Sequence, residues 1–109
     1  EVFLMSQFAV YKNRDRASAK RFPYLLDVQH DFLSSLATRM VIPLGLKTTS
    51  SLAEQERLIL SFKIEEHEVL LMTPQMAGVT LSQLGEQVDD LGYCRDDIVG
   101  AMDFLLFGY

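Results

Sequence analysis

Apolar and polar residues alternate along most of this chain, and a two-residue period predicts strands. Residues 7–11 read as a first strand, with Phe8 and Val10 on one face and Ala9 and Tyr11 on the other. Residues 24–28 form a second strand, and the long segment before it makes the pair a long-looped hairpin. Asn13, Asp15 and Ser18 supply turn chemistry there. Residues 31–36 are a short connector centred on Phe32 and Leu33, and residues 39–44 a third strand. Pro43 has no N–H for a ladder, so that strand should end or lie at an edge there. Ser50 or Ser51 could cap a short helix reaching Glu56. The clearest alternation runs from 58 to 64, with Leu58, Leu60, Phe62 and Ile64 inward and Ser61 and Lys63 outward. Glu65, Glu66, His67 and Glu68 make a charged turn, residues 69–73 return as the partner strand, and Pro74 stops it. Residues 77–81 and 84–88 read as short irregular strands separated near Gly85.

The period then changes. A helix is predicted over residues 95–107, with Gly92 an acceptable residue to start it and Asp96 and Asp97 complementing the dipole of its first turn. Ile98, Ala101, Met102 and Leu105 form one apolar stripe that should face a core. Asp96, Gly100, Asp103 and Phe107 form the opposite stripe. Phe107 is out of place on that wet face. It folds back onto the protein, is covered by a second copy, or is a recognition residue, since aromatics are favoured hot-spot anchors. Many short strands followed by one helix argue a mainly β chain: an antiparallel sheet or partly open barrel with a C-terminal helix packed on it.

Composition narrows the class. The 109 residues suffice for one core, and a hydrophobic share of 49% excludes a disordered chain. Residues 1–5 are expected to be disordered or added sequence, and residues 6–109 a single domain. No apolar run is long enough to span a bilayer and no secretory leader is visible, so a cytoplasmic protein without membrane contact is expected. Cys94 is the only cysteine, which excludes an internal disulfide, fits a reducing compartment and reads as structural. His30 and His67 stand far apart with no cysteine cluster, so no metal is expected.

Charge is uneven. The formal net charge is −5, yet Lys12, Arg14, Arg16, Lys20 and Arg21 stand within residues 12–21 against Asp15 alone. Of ten basic residues this leaves five elsewhere, against fourteen acids. An acidic body repels a phosphate backbone, so strong intrinsic DNA binding is not expected. The basic segment is a solvated loop or a docking surface for an acidic or mixed-charge peptide. No glycine-rich phosphate loop, nucleophile elbow or zinc-protease motif occurs. The acid pairs Asp89 and Asp90, and Asp96 and Asp97, are adjacent in sequence and do not converge on one point. No catalytic residue and no cofactor is expected, and by subtraction the chain reads as a binding protein.

Certain segments carry a family likeness. They are Gln-Phe-x-Val-Tyr at 7–11, Asp-Val-Gln-x-Asp at 27–31, Arg-Met-Val-Ile-Pro-Leu at 39–44, Met-Thr-x-x-Met-Ala at 72–77, and Asp-Ile at 97–98, closed by an aromatic-Gly-apolar ending. In this order and spacing the chain, from 7 to 109, resembles the CcdB family, toxins of the ccd toxin–antitoxin system that poison bacterial DNA gyrase. The resemblance implies an SH3-like, partly open antiparallel barrel of the CcdB and MazF/Kid type with a C-terminal helix. It also implies a homodimer whose two helices lie side by side, so that the terminal aromatics form one patch. That patch would enter the cavity of the gyrase A-subunit dimer and block religation of cleaved DNA, with no chemistry by the toxin itself. The gyrase-binding set so implied is Asp31, Phe32, Leu33, Asp103, Phe107, Gly108 and Tyr109. A CcdA-like antitoxin would bind near Tyr11, Lys12, Arg14, Arg16, Lys20 and Arg21. Together the two would repress their own operon, the operator DNA being reached only through the antitoxin. The family carries tryptophan where this chain has Phe107, and its best-known type has asparagine at Asp103 and isoleucine at Tyr109. Two alternatives stand beside this reading: a MazF-like endoribonuclease on the same barrel, and a non-toxic homologue that only binds antitoxin.

Overall fold

The computed structural model describes residues 6–31, 36–47 and 60–108. Its strands are β1 (Ala9–Asn13), β2 (Tyr24–Asp27), β3 (Thr38–Leu46), β4 (Ser61–Ile64), β5 (His67–Leu71), β6 (Ala77–Thr80) and β7 (Leu84–Asp90), followed by the helix α1 (Arg95–Phe107). Every pairing is antiparallel, in the order β4-β5-β3-β2-β1-β7, with β6 also beside β3. The register of β1 against β7 shifts twice, between Val10 and Tyr11 and between Tyr11 and Asn13. Such shifts bend a strand and raise its twist, and they curl this sheet into a partly open barrel.

The alternation places two cores, one on each face of the central strands. Val10, Leu26, Ile42 and Leu44 pack with Ile64, Val69 and Leu71 and receive Ile98 and Ala101 from α1. Ala9, Tyr11, Leu25 and Val41 point the other way and meet Leu84. On β4, Ile64 is buried and Phe62, like Leu60 just before the strand, packs against the first core, while Ser61 and Lys63 are exposed. Leu58, and the short helix expected from Ser50 or Ser51 to Glu56, lie outside the described residues.

Pro43 neither ends β3 nor lies on a sheet edge. β3 runs on to Leu46 and has two partners on one side: β6 along Thr38–Val41 and β5 along Leu44–Leu46. A strand residue's N–H and C=O point to the same side, and the Pro43 carbonyl accepts from the Met72 N–H at 3.0 Å. The missing donor therefore falls where β6 has ended and β5 has not begun.

Two further expectations are corrected. The charged turn is only Glu65 and Glu66, with φ of 47° and 71°, and His67 already belongs to β5. Left-handed backbone at both central positions is what a two-residue hairpin turn needs to match strand twist. Gly85 does not separate β6 from β7, since it lies within β7. The separator is a 3₁₀ turn over Leu81–Gln83.

The second face also holds a buried ion pair. Arg39 Nη2 lies 2.7 Å from Asp27 Oδ2, and both side chains are 0% exposed. Arg39 Nε donates to the same oxygen at 2.8 Å, and Nη2 donates to the Gln29 carbonyl at 3.2 Å. Asp27 Oδ1 accepts from the Gln29 N–H at 3.0 Å. Burial pushes the Asp27 carboxyl up, and the hydrogen bond from Arg39 opposes that shift.

Candidate functional site

The helix occupies the predicted residues, although its start differs. Gly92 opens a 3₁₀ turn through Cys94, and Cys94 caps α1 without a side-chain bond. Asp96 and Asp97 stand in the first turn. Ile98 and Ala101 are buried and Met102 and Leu105 half-buried, while Asp96, Gly100, Asp103 and Phe107 are all exposed. Phe107 does not fold back: it is 66% exposed. Its neighbour Leu106 is 58% exposed, so the tip is an apolar pair. Leu106 was legible on the same wheel, one step round from the core stripe. Gly108 adopts φ 77° and its N–H donates to the Phe104 carbonyl at 2.9 Å, so the helix ends in a left-handed glycine cap.

The helix thus unites Asp103, Phe107 and Gly108. Asp31 is exposed and tied to the segment that leads into β1, its Oδ1 accepting from the Gln7 N–H at 2.7 Å. Phe32, Leu33 and Tyr109 lie outside the described residues. Tyr93, ahead of α1, is another exposed aromatic that the sequence did not single out.

The basic segment splits in two. Lys12 Nζ lies 3.5 Å from Glu86 Oε1, and the Arg14 N–H donates to the Gln83 carbonyl at 2.9 Å, so this half belongs to the β7 side. Asn13 Nδ2 donates to Ser18 Oγ at 3.0 Å and to the Phe22 carbonyl at 2.9 Å, and Ser18 Oγ donates to Asp15 Oδ2 at 2.8 Å. This turn carries the chain, exposed at Arg16, across to Lys20 and Arg21 on the β3–β5 side. Tyr11 is 4% exposed and packs in the second core, so its ring belongs to the fold rather than to the surface. Burial raises its phenol, with the Asp27 charge adding to the shift.

One grouping has acid–base character. The Tyr24 hydroxyl donates to Glu65 Oε1 at 2.8 Å and lies 3.2 Å from His67 Nδ1. Burial, then the bond to Glu65, pushes Tyr24 up to about 12, so it keeps its proton at neutral pH. Cys94 is a half-buried free thiol packed against the first core. Among the described residues no three His, Cys, Asp or Glu side chains gather into a metal-binding group. Among them too, no helix is long and apolar enough to cross a membrane.

Comparison with solved structures identifies the architecture. The chain is similar to an endoribonuclease from mycobacterial species, with a TM-score of 0.71, 13% identity, and coverage of 96% of this chain and 93% of that one. It is also similar to an endoribonuclease in complex with its cognate antitoxin, again from mycobacterial species. That match has a TM-score of 0.70, 13% identity, and coverage of 94% of both chains. At this identity the likeness speaks for the fold. The family model described as CcdB protein matches residues 7–108, nearly the whole length. The chain therefore belongs to the CcdB family, the toxin family that its strand motifs and terminal aromatics resemble.

Proposed function

We propose that this protein is a toxin that poisons DNA gyrase by binding, with the exposed end of α1 as its working surface. The observation that carries this reading is the tip itself. A helix buries Ile98 and Ala101 in its own core yet leaves Leu106 and Phe107 in water beside Asp103 and Gly108. In a two-fold dimer with helices side by side, two such tips make one apolar patch. The patch enters the gyrase A-subunit dimer and traps the cleaved DNA complex. Phe107 offers a ring face to a cation of the target, a contact worth about 0.5–2 kcal/mol. Asp31, Phe32, Leu33 and Tyr109 complete the surface.

A CcdA-like antitoxin neutralises the toxin through the basic segment. Its disordered tail folds on binding, and the pair represses its own promoter with the antitoxin supplying the DNA contacts. A cleavage assay with purified gyrase tests the main claim. Linear DNA should accumulate on denaturation only when this protein is present, and unchanged religation would reject gyrase as the target.

The endoribonuclease reading has one observation in its favour, the likeness to two solved endoribonucleases. Against it stands the acidic body, which repels a phosphate backbone outside the basic segment. Incubation with bulk RNA in the absence of gyrase separates the two, since cleavage there needs no topoisomerase. A homologue that only sequesters antitoxin would leave growth and DNA supercoiling intact on expression in a sensitive host.

A further inference from the structure

A groove of about 350 Å³ opens where the far end of the basic segment meets the β3–β5 pair. Its walls come from three separate stretches: Lys20, Arg21 and Phe22, then Gly45 and Leu46, then Leu70 and Met72. The apolar part is graded. Leu70 is buried, Phe22 and Met72 are half-buried, and Leu46 is 43% exposed at the mouth. Phe22 packs closely on Gly45, where an added Cβ would lie 3.4 Å from its ring.

The rim is cationic. Lys20 and Arg21 are exposed, and neither belongs to an ion pair among the described residues, unlike Lys12, Arg39, Lys63 and Arg95. On a chain of net charge −5, two unneutralised cations beside an apolar groove are complementary to a ligand that is acidic and apolar at once. We propose that this groove seats one bulky apolar side chain of the antitoxin tail, with carboxylates flanking it on Lys20 and Arg21. The inference rests on the antitoxin reading above and adds the anchor point.

A peptide suits the groove better than a nucleic acid. Base stacking needs an open aromatic face. The guanidinium of Arg21 already lies over the Phe22 ring, 5.1 Å from its centroid, and an edge of that ring meets Gly45. The remaining lining is aliphatic or thioether, which accepts an inserted side chain and adapts to its shape.

The test is titration calorimetry of purified antitoxin against this protein and three variants. Leu46→Gln removes apolar surface at the mouth without adding charge. The double variant Lys20→Glu/Arg21→Glu reverses the rim. The double variant Lys63→Ala/Arg95→Ala removes two exposed cations that lie outside the basic segment. Leu46, Lys20 and Arg21 are exposed, so thermal melts should show these proteins folded. The groove variants should lose at least about tenfold in affinity, and the Lys63/Arg95 variant less than about threefold. Tight antitoxin binding that survives both groove variants would overturn the groove while leaving the antitoxin reading in place. No binding to the unaltered protein would overturn both. Single-stranded RNA that competes with antitoxin, and loses this ability in Leu46→Gln, would assign the groove to nucleic acid instead.

Discussion

The centre of the sheet and the end of α1 treat the same kinds of residue in opposite ways. At the centre, Tyr11, Tyr24, Asp27 and Arg39 are aromatic or charged, and all four are buried. Tyr24, Asp27 and Arg39 are also hydrogen-bonded to groups outside their own strands. At the helix end, Leu106, Phe107 and Asp103 are exposed. A group out of water and partnered contributes to folding, and its loss is felt as instability. A ring left in water has little to lose on truncation. Its apolar surface stays available to another molecule, at roughly 25 cal/mol per Å² covered.

The largest expected effect breaks the central pair. Asp27→Ala leaves Arg39 as a buried charge without its partner and should cost about 3–5 kcal/mol in chemical denaturation. Replacing both residues together with apolar side chains should recover much of that loss. An Asp27→Ala protein as stable as the unaltered one would show that the pair is open to water.

Alkaline pH probes the same region. Folding favours the protonated Tyr24, whose value of about 12 lies above its ordinary 10. Its contribution is therefore intact below pH 10 and lost as pH rises through about 12. Denaturation midpoints should fall across that window, and phenolate absorbance should show late-titrating tyrosines, Tyr24 and Tyr11 among them. Tyr24→Phe should reduce both signals, leaving the part that belongs to Tyr11.

At the helix end the effects shrink. Gly108→Ala forces an L-residue into φ 77° and should cost about 0.5–1 kcal/mol, read as a small drop in melting temperature. Phe107→Ala should stay within about 0.5 kcal/mol of the unaltered protein while abolishing gyrase trapping. A large loss of stability instead would make Phe107 a packing residue and erase the contrast. The exposed Lys12–Glu86 contact sets the lower bound, and Lys12→Ala should change stability by under about 1 kcal/mol.

Much of this was legible because it is local. Strand alternation around Val10, Leu26 and Ile64 depends only on a period of two, and the stripe from Ile98 to Leu105 only on a period of 3.6. The order of short motifs also sufficed for the family. What escaped the sequence depends on who sits beside whom. Pro43 passes through mid-strand because the partner changes there, a fact of tertiary pairing. Asp27 and Arg39 read as ordinary polar positions until β2 and β3 pair and the second face is covered. The tight turn at Glu65 and Glu66 hid behind residues that disfavour left-handed backbone. The groove took its walls from three distant stretches, and none of them announces a cavity. The tip needed only half of that context, since its exposure was a wheel argument and its purpose was not.

The split allegiance of β3 carries a consequence for cooperativity. Because Thr38–Leu46 is stitched to β2 along one flank and to β6 and β5 in succession along the other, no hairpin can melt in isolation without tugging on that shared splint. A slip of one position along it would take Ile42 and Leu44 out of the first core and swing Arg39 into it, away from Asp27. The molecule is thereby biased toward coming apart all at once, as a single unit held by one nine-residue seam.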